Sequence, residues 1–134
     1  MNKNRDLVFD EFRKLCEHIA ELEASYSPEL EAGYESLLCL IEGEPDSEEL
    51  FSDAMISSIR TYRNVRNGGK PLLSIDAIAF CMHRLRWKAV LATAERENEE
   101  FFAARADNSL LRLIDSFTDN WREADDYRIY REQD

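Results

Sequence analysis

Four glycines and three prolines are too few for an all-β chain of 134 residues, whose many tight turns would need more of both. Cysteine is scarce as well. Cys16, Cys39 and Cys81 are odd in number, far apart and without a C-x-x-C spacing, which argues against a disulfide framework and for reduced thiols in the cytosol. No apolar run approaches the roughly 18 residues of a membrane-spanning helix, and the start, Met1-Asn2-Lys3-Asn4-Arg5-Asp6, lacks signal-peptide character. The expected setting is cytoplasmic, with no membrane partner. Catalytic signatures are missing too: there is no G-x-S-x-G, H-E-x-x-H, Walker loop or G-x-G-x-x-G. His18 has Glu21 three residues on, but His83 has only Phe80 and Trp87 at helical spacing, and no Glu-x-x-His pair exists for a di-metal bundle. The expectation is a protein that is not an enzyme, with no catalytic residue, no metal and no cofactor.

What the chain does contain is charge, and the charge is segregated. Residues 1–55 hold fifteen Asp and Glu against four Lys and Arg, and residues 94–134 hold twelve against six. Between them, residues 56–93 hold seven basic residues and one acid, Asp76. The overall net charge of −11 is thus the sum of two acidic flanks and a basic centre. Such segregation shapes the surface potential and selects partners. With 44% apolar residues the acidity does not imply disorder, and the length suits one domain with an ordinary core.

Apolar residues recur at helical spacing along the whole chain. Val8, Phe12, Leu15, Cys16, Ile19, Leu22 and Tyr26 form one stripe over residues 5–26, with Asp10, Glu11, Glu17, Glu21 and Glu23 on or beside the opposite face. Ser27-Pro28 breaks that helix and starts a second, with Leu30, Tyr34, Leu37, Leu38 and Ile41 inward, ending at Gly43-Glu44-Pro45. Asp46-Ser47-Glu48-Glu49 has the form of a capping box for a third helix reaching about residue 66. Asn67-Gly68-Gly69-Lys70-Pro71 is a loop, and Ser74 caps a long fourth helix through Ala92. That helix is apolar on two sides, which predicts a central position. A fifth helix places Leu110, Leu111, Ile114, Phe117, Trp121 and Ala124 inward, and residues 125–134 are expected to fray. The fold class is therefore all-α, a single-domain bundle of about five helices spanning residues 1–134.

Two stretches resemble known families. Ile41-Glu42-Gly43-Glu44-Pro45-Asp46-Ser47-Glu48-Glu49-Leu50-Phe51 resembles the acidic specificity region of colicin-type nuclease immunity proteins, and Ile59-Arg60-Thr61-Tyr62-Arg63 with Asn67-Gly68-Gly69-Lys70-Pro71 looks like that family's closing helix and tail. The likeness covers about thirty residues and lacks the family's paired-tyrosine motif. It implies a small acidic helical inhibitor that blocks a basic nuclease. Arg63-Asn64-Val65-Arg66-Asn67-Gly68-Gly69 resembles the R-N-x-x-x-H-G ribonuclease motif of HEPN domains, with Gly68 in place of the histidine. That kinship would imply a degenerate HEPN-like RNA-binding or ribonuclease domain without its catalytic residue.

The function expected from these features is an acidic helical interaction protein, an immunity or antitoxin-type inhibitor that neutralises a basic toxin, a nuclease by preference, through direct binding. Its partner-binding residues are Glu42, Glu44, Asp46, Glu48, Glu49 and Asp53, with Tyr34 and Phe51 as aromatic anchors. The alternative is a phage-type DNA mimic or anti-defence protein, which would need carboxylates spread over an elongated surface. Arg60, Arg63, Arg66 and Lys70 form a basic patch of open role: phosphate contacts, or internal partners for the acidic helices. The net charge disfavours direct nucleic-acid binding.

Overall fold

The computed structural model describes residues 5–62, 71–100 and 109–131. Of these residues 82% are helical and none lies in a strand. Seven α-helices occur among them: α1 (Arg5–Ala24), α2 (Leu30–Glu42), α3 (Glu48–Tyr62), α4 (Ile75–Leu85), α5 (Lys88–Glu100), α6 (Ser109–Asp115) and α7 (Arg128–Arg131), with 3-10 turns at Pro45–Ser47 and Arg122–Asp126. The all-α class stands; the count differs from five for two local reasons, the division of the fourth helix and a short helix near the end of the described residues.

α1 and α2 form a helical hairpin. Val8, Phe12, Cys16 and Ile19 of α1 share one continuous core with Tyr34, Leu37, Leu38 and Ile41 of α2, and Leu22 is buried beside Gly33. Gly33 lets the two helices approach closely, because a Cβ there would stand 3.1 Å from Leu22 and 3.3 Å from Ile19. The stripe of α1 stops short of Tyr26. Ser27 N–H bonds the Leu22 carbonyl at 3.0 Å and Tyr26 N–H the Glu23 carbonyl at 3.2 Å, a Schellman closure with Tyr26 in the left-handed region at φ 52°. Its side chain is consequently 92% exposed and not part of the core. Ser27 Oγ accepts the Glu29 N–H at 3.1 Å, so the serine turns the chain but α2 begins only at Leu30. The expected capping box is replaced by the Pro45–Ser47 turn, where Glu48 N–H bonds the Pro45 carbonyl.

The long fourth helix is two helices. At Arg86 the backbone turns left-handed, φ 50° and ψ 46°, and the Arg86 N–H closes α4 on the Met82 carbonyl at 2.9 Å. The Arg86 side chain holds the corner, with Nε donating to the His83 carbonyl at 3.1 Å and Nη2 to Asp119 at 2.8 Å. The bend lets α4 pack against α2, α3 and α6 while α5 lies along α3 and α6. α4 is the centre of the molecule, with Ile75 and every residue from Ala77 to Met82 buried. The Ser74 cap is present: its Oγ accepts the Ala77 N–H at 3.0 Å.

The expected fifth helix ends early, at Asp115. Ser116 Oγ bonds the Leu113 carbonyl at 2.5 Å and Thr118 Oγ1 the Asp115 carbonyl at 2.8 Å, so two hydroxyls take acceptors that a longer helix would use. The following segment is not frayed. Trp121 and Tyr130 are buried, and their rings pack with Tyr127, Phe80 and His83 around α4. Tyr130 donates its hydroxyl to the Phe80 carbonyl, and Arg128 is held on α2 by Glu31 and Glu35, both at 2.6 Å. Those contacts correct the expectation of fraying through Arg131; residues 132–134 lie outside the described residues.

Candidate interaction surface

The α2–α3 junction concentrates acids because α2 ends on Glu42 and α3 opens with Glu48 and Glu49 one turn after Glu44-Pro45-Asp46. Glu42, Asp46, Glu48, Glu49 and Asp53 are exposed and Glu44 is half-exposed; the six stand at the end of α2, in the turn after it and in the first two turns of α3. Arg84 approaches Glu42 at 3.7 Å. Among the described residues Asp46, Glu48, Glu49 and Asp53 have no cationic partner. Acids at the start of a helix are also favoured by its dipole, so these charges sit there without destabilising α3.

The two aromatic anchors are not at this surface. Tyr34 is 2% exposed and Phe51 is fully buried, its ring 5.0 Å from Phe12 at the α1–α3 contact. Their place on the inward stripes, which the periodicity already marked, removes them from any partner. Tyr34 has an internal role that sequence reasoning missed. Its hydroxyl donates to Glu23 Oε2 at 2.6 Å, and the Ser74 hydroxyl donates to the same oxygen at 2.5 Å. One carboxylate thus ties the end of α1, the middle of α2 and the cap of α4. Burial, and then the Glu23 carboxylate, push the Tyr34 phenol well above its ordinary value. Glu23 was expected on a solvated face; only its side position on the stripe could have signalled this contact.

The basic centre is divided. Arg84 and Arg86 pair with the protein's own Glu42 and Asp119. Arg60 is exposed on α3 and makes an interaction of its own, while Arg63, Arg66 and Lys70, with the HEPN-like stretch, lie outside the described residues. Cys16 is buried, which pushes its thiol up to about 12, and Cys81 is buried likewise; Cys39 is exposed. His83 Nδ1 donates to the Ser116 carbonyl at 2.9 Å between the Trp121 and Tyr130 rings, a packing role. Among the described residues no group of three or more His, Cys, Asp or Glu could hold a metal ion, and no helix is long and apolar enough to cross a membrane.

Two of the concavities lined by the described residues bear on this surface. One, about 440 Å³, runs between the first turns of α1 and the outer face of α3, bordered by Phe9, Leu50, Asp53, Ala54, Ser57 and Leu72. The other, about 390 Å³, lies beside α6, where Arg112 is already bound to Glu123 at 3.2 Å. The fold defines an all-α protein with exposed acids along the α2–α3 junction. Comparison with protein-family models, with curated proteins and with solved structures finds no match.

Proposed function

We propose that this protein is an acidic helical binding protein, of the immunity or antitoxin type, that neutralises a basic protein partner by covering it. The observation that carries this reading is the corner at the α2–α3 junction, where Asp46, Glu48, Glu49 and Asp53 face solvent and have no cationic partner among the described residues. Unpaired surface charge of one sign is useful to association, since it steers an oppositely charged partner and raises the encounter rate. The grouping of these acids at one helix junction favours a single complementary patch over the elongated array that imitation of DNA would need. A basic toxin, above all a nuclease built to hold phosphates, has the matching surface. The role needs no catalytic group.

Affinity capture from the native host followed by mass spectrometry identifies the partner, and a basic protein is expected. Changing Glu44, Glu48 and Glu49 together to Lys should leave helix content unchanged and slow association by about tenfold or more at low salt, with a smaller effect at high salt. An association rate that is independent of both the substitutions and the salt concentration would sink the proposal.

A further inference from the structure

The last described segment is rooted at one end and docked by side chains at the other. At the root the buried Trp121 donates its indole N–H to Glu123 at 2.9 Å, and Arg112 of α6 holds the same carboxylate at 3.2 Å. Asp125 and Asp126 follow in an exposed turn. From Tyr127 to Arg131 the chain is one extended residue and the four-residue α7, and a single helical turn has no stability of its own. Tyr130 is the one buried residue of these five. The stretch 127–131 is thus a strap, ordered by the surface on which it lies.

That surface has a definite chemistry. Tyr127 lies 4.9 Å from the Phe80 ring and 6.1 Å from Tyr34, and Tyr130 lies 5.2 Å from Phe80 and 4.6 Å from His83. The Tyr130 hydroxyl donates to the Phe80 carbonyl. Beside the rings, Glu31 accepts the Arg128 backbone N–H and Glu35 its guanidinium, both at 2.6 Å. These two acids stand one turn apart on the same face of α2. Arg128 remains 59% exposed, so a competing cation has access to the pair. Three rings edged by two carboxylates and filled by Tyr-Arg-Ile-Tyr form a peptide-binding surface whose resident ligand is the protein's own chain. Beneath it α2 packs directly on α1 and α4, and α4 on α3, so removal of the strap leaves the bundle assembled.

We infer that residues 127–131 are a releasable strap, which occupies in cis an aromatic and acidic surface of α2 and α4 that takes a partner's aromatic–arginine segment in its place. The surface is separate from the α2–α3 junction and does not depend on the reading given for it. The strap is its built-in competitor: an incoming segment must supply both an arginine for Glu31 and Glu35 and a ring for Phe80 and His83. A local opening of this kind lies below the free energy of global unfolding.

The test uses the full chain, isotope-labelled for NMR, and a synthetic peptide of residues 124–131. Arg128→Ala with Tyr130→Ala weakens the strap and leaves the surface intact. The peptide should shift the amides of residues 31–35 and 80–83 of this double variant and bind it at least tenfold more tightly than wild type. In wild type the tethered strap competes at an effective concentration of about 1 mM. A peptide with alanine at the positions of Arg128 and Tyr130 should bind neither protein, and adding Glu35→Gln to the double variant should weaken the first peptide about threefold. Circular dichroism checks the fold, and Arg128→Ala alone, at an exposed position, serves if the double variant misfolds. Hydrogen exchange of wild type should show 127–131 opening faster than α2 and α4. Equal binding to wild type and variant, shifts elsewhere, or exchange of 127–131 only with global unfolding overturns the strap and leaves the acidic junction untouched. A wild-type dimer in sedimentation that the double variant dissolves would make a second copy's strap the occupant, and overturn the assignment to a partner.

Discussion

Tyr26 shows how a single backbone angle can outweigh a side-chain pattern. It continues the apolar spacing of α1 by number, but the helix closes at Ala24 and Tyr26 takes the left-handed turn, with its ring in water. A non-glycine residue there is strained by about 1 kcal/mol, and no packing offsets the strain. Tyr26→Gly should therefore raise stability by about 1 kcal/mol in urea unfolding, and Tyr26→Val, β-branched in the same conformation, should lower it. Equal stabilities for all three would mean that the turn is free to relax. Arg86 has the same geometry but a different balance, because its side chain bonds His83 and Asp119 across the α4–α5 corner. Glu23 is the converse case, an acid that periodicity places outside and that two hydroxyls draw in.

Among the elements, α1 to α4 carry most of the core, and their contributions differ by position along each helix. Leu37 and Ile59 are fully buried. Truncating either to Ala should cost about 2–5 kcal/mol, the range for a buried aliphatic side chain whose cavity collapses incompletely. Leu85 is spaced like them but stands in the last turn of α4, half-buried beside the Arg86 corner. Leu85→Ala should cost only about 1–2 kcal/mol, since solvent already reaches the site. Urea midpoints of the three variants check this ranking, and a loss at Leu85 as large as at Ile59 would place the end of α4 deeper than described.

The whole molecule sets its response to alkali. Tyr34, Tyr127 and Tyr130 all have phenols raised above the ordinary value near 10, in each case chiefly because burial disfavours the phenolate. The folded chain keeps these protons while the unfolded chain loses them above pH 10. The stabilisation is thus complete below pH 10 and falls as pH rises, by about 1.4 kcal/mol per pH unit for each group. Unfolding midpoints should hold steady to about pH 9.5 and drop steeply from pH 10 to 11. Tyrosinate absorbance at 295 nm should appear for these residues only as the fold is lost. Early titration of all five tyrosines in the folded protein would contradict the burial of the aromatic cluster around α4.

The all-helical class and the inward faces of α1 to α4 were legible in the sequence, because a 3.6-residue apolar period reports which side of a helix must leave water. The exposure of Glu42, Asp46, Glu48, Glu49 and Asp53 was legible as well, since charged side chains off the apolar stripe stay in water. The tertiary structure alone decided the rest. The bend at Arg86 follows from α4 and α5 needing different neighbours. The early end of α6 follows from Ser116 and Thr118 bonding back to its carbonyls. The seating of Tyr130 on Phe80 and of Arg128 on Glu31 and Glu35 joins residues 50, 97 and 93 positions apart. Local spacing contains no information on such pairings. It distinguishes buried from exposed along one helix, but only packing lays α1 along α2 and α3 along α5.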